Sequence, residues 1–196
     1  MTEHEIEAHE AEADERTMFG FWVYLMTDLL MFAVLFAVYA VLHNNTSGGE
    51  TGRELFKLPL ALTETIILLT SSFTCGIAMI AARQRKKAQT LVWFGITFLL
   101  GLTFLTLELN EFASLIREGY TLQSNAFMSS FFVLVGTHGL HITLGLLWMA
   151  ITLGYVIKRG LNGPLVRKLA LVSLFWHFLD IVWIFIFTIV YLRAFL

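Results

Sequence analysis

Apolar residues run along the chain in five long blocks, roughly 18–42, 58–82, 90–116, 126–157 and 169–192, separated by short polar segments. Each block exceeds the roughly 20 residues that a helix needs to cross a 30 Å hydrocarbon core. In lipid a single segment satisfies its own backbone only as a helix. The pattern therefore predicts an all-α integral membrane protein, a bundle of five transmembrane helices. The first block holds one charge, Asp28, and the second one, Glu64. A carboxylate at mid-membrane costs about 3 kcal/mol, while each Leu, Ile, Phe or Val gains about 0.3–0.6. A long apolar block can carry one acid inward.

The connections are short. His43–Lys57 is rich in turn residues (Asn44, Asn45, Ser47, Gly48, Gly49), and Pro59 follows it where a helix starts well. Arg83–Gln89 is a tight basic turn, Arg117–Asn125 is mildly polar, and Lys158–Lys168 contains Gly160, Gly163 and Pro164. With no internal repeat and no second domain, residues 18–196 read as one membrane domain behind an acidic, flexible cytoplasmic tail at 1–17. That tail has seven acids and one arginine, and lacks the basic start of a secretory signal. His4 and His9 lie scattered among its glutamates, which is weak ground for a metal site.

Lysine and arginine fix the orientation. One side of the membrane would hold nine: Arg16, Arg83, Arg85, Lys86, Lys87, Lys158, Arg159, Arg167 and Lys168. The other would hold Arg53, Lys57, Arg117 and Arg193. The amino terminus is expected in the cytoplasm and the carboxyl terminus on the periplasmic or outer side. Composition agrees: 57% of residues are apolar and 14% charged, with a mean hydropathy of +0.73. These values exclude a disordered chain, and one cysteine excludes a disulfide scaffold. A net charge of −2 gives no basis for a nucleic-acid partner.

Inside the spans lie five acids (Asp28, Glu64, Glu108, Glu111, Asp180) and three histidines (His138, His141, His177). Ionisable groups at this depth face protein or water and mark function by default. A rise of 1.5 Å per residue puts Asp28, His138, His141, His177 and Asp180 near the midplane, and Glu64, Glu108 and Glu111 in the outer third. Glu108/Glu111, His138/His141 and His177/Asp180 are each three apart and so share a helix face. Glu64 shares one with Ser71, Cys75 and Ala78, small residues that let helices approach. Asp28 shares one with Tyr24 and Tyr39. In the fourth span a stripe runs through Ser130, Thr137, His141, Thr152 and Tyr155. Trp22, Trp93, Tyr120 and Tyr191 read as anchors at the membrane interface, and Trp148, Trp176 and Trp183 as deeper packing residues. Cys75 has no neighbouring cation and reads as a small packing residue.

Three uses compete for this set. Carboxylates and imidazoles at i, i+3 suggest a metal or haem site. Di-iron bundles, however, need two Glu-x-x-His pairs, and this chain has Glu-x-x-Glu, His-x-x-His and His-x-x-Asp. A chain of acids and histidines suggests a proton path, and hence a stand-alone proton-coupled transporter. Five spans do not divide into inverted repeats, though, and no span is clearly broken. The third use is structural, with His–acid pairs tying helices together and the remaining polar faces docking another subunit or lipid. That reading leads on spacing alone, with His177 satisfied by Asp180 on its own face.

Two segments are more specific. Gly136-Thr-His-Gly-Leu-His141 resembles the Gly-x-His-Gly-x-His signature of subunit III of haem–copper terminal oxidases, and Trp176-His-Phe-Leu-Asp-Ile-Val-Trp183 resembles that family's Trp-His-Phe-x-Asp-x-x-Trp motif. Thr27-Asp28 stands where the family has a buried carboxylate, and Glu108–Phe112 resembles its Glu-Tyr-x-Glu segment. Five spans and the Gly20–Met26 opening are similar to the quinol-oxidising branch, bo-type ubiquinol oxidases in particular. The Ser71–Ile77 run also resembles the menaquinol branch. The resemblance implies a non-redox subunit III of a proton-pumping ubiquinol oxidase in a bacterial inner membrane, with no catalytic centre of its own. It implies that haem, copper and quinol sit in the catalytic subunit I, with subunits II and IV as further partners. It also implies that Asp28 and Trp176 line a lipid cleft and support proton uptake, and that His138, His141, His177 and Asp180 belong to the same machinery. Subunit III of a cytochrome c oxidase is the alternative within the family.

Overall fold

The computed structural model describes residues 3–43, 45, 58–121 and 123–195, with side chains from residue 15 onward. Most of the first loop, including Asn44, Ser47, Gly48, Gly49, Arg53 and Lys57, lies outside the described residues, as do the side chains of His4 and His9. Five helices follow one another: α1 (Glu3–Leu42), α2 (Leu58–Arg83), α3 (Lys87–Arg117), α4 (Ala126–Arg159) and α5 (Gly163–Ile186). The chain ends in a π-helical turn, Phe187–Tyr191, and a 3₁₀ turn, Leu192–Phe195. All five helices are long and apolar enough to cross a membrane. The acidic segment ahead of the first span is helical from Glu3 and continuous with it, as its run of Glu and Ala favours.

Local chemistry sets the helix ends. Asn125 accepts a hydrogen bond from Met128 N–H at 2.7 Å, and Asn162 accepts one from Leu165 N–H at 3.0 Å, so both are side-chain N-caps. Pro164 sits in the first turn of α5. The three-residue turn between α2 and α3 holds Arg85 at φ 58°, a left-handed backbone unusual for a branched-off side chain of this size. From there Arg85 Nη1 donates to Leu161 O (3.1 Å) and Lys87 Nζ to Ile157 O (3.0 Å). Lys87 thus meets the carbonyl end of α4, where the helix dipole favours a cation, and Arg85 meets the loop just beyond it.

Helices α2, α3, α4 and α5 form a closed ring in which each packs on its sequence neighbour and α5 returns to α2; α1 lies outside, against α4 and α5. The ring is drawn tight at Gly101 of α3. A Cβ there would stand 2.6 Å from the Trp176 ring and 2.9 Å from Leu146, so only glycine admits the indole. Outside the ring, α1 buries a single narrow stripe, Leu25, Asp28, Phe32 and Tyr39, and leaves residues such as Phe19, Leu30, Val34 and Val41 outward. Lipid is as apolar as these side chains, so their exposure carries no penalty in a bilayer.

Candidate functional site

The polar residues predicted to matter fall into three separate groups. The first is a seam between α2 and α5. Cys75 Sγ lies 3.4 Å from Ser173 Oγ, Trp176 Nε1 donates to Ser71 Oγ at 3.0 Å, and Trp183 Nε1 donates to Thr65 Oγ1 at 3.1 Å. His177 Nδ1 meets Ser72 Oγ at 2.5 Å. Position numbers fall along α2 as they rise along α5, the mark of antiparallel helices zipped by short polar side chains. Thr65 and Ser72 are seven apart, as are Trp176 and Trp183, so both pairs hold one face through two turns. Nothing in the spacing within α2 alone singled out Thr65 or Ser72; the signal lies in matching its heptad to that of α5.

His177 keeps its expected neighbour, Asp180, and gains a closer one. Its partner is Ser72 across the seam, whereas Asp180 Oδ2 is 4.0 Å from the same nitrogen. Both groups approach Nδ1, so imidazole does not bridge them: a Ser–His–acid relay needs one group on each ring nitrogen. Asp180 is buried, with neither oxygen hydrogen-bonded among the described residues.

The second group joins α1 to α4. Asp28 Oδ2 stands 3.8 Å from His141 Nε2, and His141 Nδ1 meets Thr137 O at 2.8 Å. Phe32 packs on His141 with ring centroids 5.3 Å apart. Since α1 lies outside the ring, this contact ties it to the ring at mid-helix. His138, one turn away, goes elsewhere. It is fully buried in the ring, stacked on Trp183 at 5.3 Å with Phe104 edge-on at 6.0 Å, and neither nitrogen has a hydrogen-bond partner.

The third group is acidic. Glu64 of α2 and Glu108 and Glu111 of α3 lie within electrostatic reach of one another, and Tyr191 Oη donates to Glu111 Oε2 at 2.9 Å. Tyr191 is therefore no interface anchor: the wide π turn brings Val190 and Tyr191 inward together, and both are fully buried. Such turns recur at functional sites because they shift side-chain register by one residue. In α4, Ser130 and Thr152 are buried, whereas Tyr155 is exposed under Arg159 and Lys168, 5.6 and 5.8 Å from its ring. The polar stripe of that helix is split between two faces.

The midplane set is thus no single cluster. His138 faces aromatic rings, His141 faces Asp28 and His177 faces Ser72. Among the described residues no group of three or more His, Cys, Asp or Glu is placed to hold a metal ion.

A family model described as cytochrome c oxidase subunit III matches residues 2–195. The chain belongs to that family. Curated relatives span nearly its whole length. It is 49% identical over 202 residues to cytochrome bo(3) ubiquinol oxidase subunit 3 of Pseudomonas aeruginosa, covering 99% of this chain and 97% of the relative. It is 45% identical over 186 residues to quinol oxidase subunit 3 of Bacillus subtilis, covering 95% and 91%. A probable quinol oxidase subunit 3 of Staphylococcus saprophyticus is 48% identical over 174 residues, covering 88% and 87%. Membership in this family makes the chain one subunit of a larger oxidase. Its three intramembrane histidines, each turned to a different partner, suit a subunit whose polar interior holds helices together.

Proposed function

We propose that the chain is the non-redox subunit III of a proton-pumping ubiquinol oxidase, which reduces oxygen to water with electrons from quinol. The observation that carries this reading is identity of 45–49% across nearly the full chain to proteins named as quinol oxidase subunits. Haem, copper and quinol then belong to the catalytic subunit I, against which this chain packs, with subunits II and IV as neighbours in a bacterial inner membrane. The amino terminus is cytoplasmic. Supporting that orientation, the Arg83–Lys87 and Lys158–Arg167 turns lie at one end of the bundle, joined by Arg85 and Lys87, and concentrate positive charge there.

Within this role Asp28 is assigned to a lipid cleft; Trp176, expected beside it, is instead fully buried in the ring against Gly101 and Ser71 and serves packing. Asp28 sits on the exposed helix, α1, and touches His141, so it borders both the bundle and the surrounding lipid. The other intramembrane groups serve packing and a buried polar network. Tagging the chain, purifying it mildly and recording partner masses and the visible spectrum tests the assignment. Haem-bearing subunits should co-purify, and quinol rather than reduced cytochrome c should drive oxygen uptake. A chain that emerges alone and colourless, with transport activity in vesicles, would overturn it. Asp28→Ala should leave assembly intact while lowering bound phospholipid and slowing proton uptake. Unchanged lipid content and unchanged activity over long turnover would reduce Asp28 to a packing role.

A further inference from the structure

Most buried polar groups of this bundle have a protein partner, which makes the exceptions informative. Glu64 and Glu108 are 0% and 1% exposed, and among the described residues none of their four carboxyl oxygens has a hydrogen-bond partner. The charges acting on these two groups are those of other acids, Glu111 on Glu64 and both Glu64 and Glu111 on Glu108. Three carboxyl groups that feel one another's charge, two of them fully buried, strongly resist being ionised together. Some positive partner must be present. Among the described residues no cation is placed against Glu64 or Glu108 and no metal-binding group forms, and the smallest cation, needing no coordination shell, is the proton.

A cleft also reaches one member of the trio, Glu111. A cleft of about 250 Å³ opens between the start of α2 and the end of α3, lined by Leu60, Leu107, Asn110, Glu111, Ser114 and Glu118 among others. A water takes about 30 Å³, so the cleft holds several. It runs from Glu118 at the helix end down to Glu111, the member of the trio that is slightly exposed. We propose that Glu64, Glu108 and Glu111 form a proton-binding site, hydrated through this cleft, that exchanges protons with the aqueous phase at the end of the bundle away from the basic turns. The titratable surroundings come from every packed element: Glu64 from α2, Glu108, Glu111 and Glu118 from α3, and Tyr191 from the segment after α5. Helix α4 presents Phe131 to Tyr191 and, deeper, His138 to Trp183. Tyr191 donates to Glu111, whereas Glu64 and Glu108 have no donor other than a proton of their own. The site stands on this chain's residues and is independent of which electron donor the complex uses.

Infrared spectroscopy of the purified complex, with glutamate carrying a ¹³C carboxyl label, tests it. The unaltered protein should show a label-shifted carboxylic-acid C=O band that moves again within minutes of transfer to D₂O. Glu108→Gln or Glu64→Gln should remove or displace that band. Tyr191→Phe, which alters only the donor to Glu111, should shift it in a complex of normal subunit content, so the test survives if a glutamine variant fails to assemble. No such band, a band indifferent to all three substitutions, or one that does not respond to D₂O would overturn the proposal.

Discussion

The α2–α5 seam and the acidic layer at the far end of α2 are built from the same helix and differ in one respect. Along the seam, polar atoms on both helices meet each other: indole N–H groups reach Ser71 and Thr65, and imidazole reaches Ser72. In the acidic layer, two fully buried carboxyl groups meet nothing that donates to them. A seam of this kind is ordinary glue between membrane helices. Unpaired acids oppose packing, and the presence of Glu64 and Glu108 in a tight bundle points to use rather than support. The comparison separates two meanings of a polar residue in the membrane, and burial alone does not distinguish them: Ser71 and Glu64 are both 0% exposed.

The seam should be sensitive to substitution and the acidic layer tolerant. The largest effect is expected for Trp176→Ala, which removes a fully buried ring and its bond to Ser71. Lipid lowers the transfer part of the cost, leaving the cavity and lost contacts, about 3 kcal/mol. Thermal unfolding in detergent should show a midpoint well below that of the parent. An unchanged midpoint would remove the seam from the account of stability. Next comes Gly101→Ala, which drives a methyl into the Trp176 ring at 2.6 Å. Overpacking of this kind costs about 2 kcal/mol, and the same measurement should be partly rescued by pairing it with Trp176→Phe.

The sign should reverse in the acidic layer. Glu108→Met replaces an unpaired buried carboxyl by an apolar chain of similar length, and should stabilise the bundle by about 1 kcal/mol. Destabilisation by that substitution would show that the acid has a structural partner and would erase the contrast. The smallest effect is Ser71→Ala, about 0.6 kcal/mol, the ordinary value of one interhelical polar contact. A double-mutant cycle with Trp176→Phe should recover most of it as coupling.

Much of this was legible in the chain. The five spans are visible because lipid imposes a length and a polarity on each segment; the helices stop close to the carboxyl ends of the apolar blocks, whereas α1 starts well ahead of its block, at Glu3. Glu64, Ser71, Cys75 and Ala78, grouped by helical spacing, are all fully buried. The placement of Glu64, Glu108 and Glu111 at one depth also follows from rise per residue. Less was visible for pairing. Asp180, three residues from His177, stands 4.0 Å from its Nδ1 as the spacing predicts, yet Ser72 of another helix comes closer, at 2.5 Å. Tyr191 sits where an interface anchor belongs, yet the π turn rotates it into the acids.

The sequence by itself determined that this protein spans the membrane five times, how deep each polar group lies, and which family it belongs to. Those properties depend on distance along one helix axis, which is written directly in residue number. Which groups touch was decided only by the tertiary structure. Rotation of each helix about its axis, the closing of α2 on α5 and the extra residue of the π turn all depend on how side chains from different helices fit. Gly101 facing Trp176 and Ser72 facing His177 arise from that fit, because contacts between segments a hundred residues apart have no period in the chain to announce them.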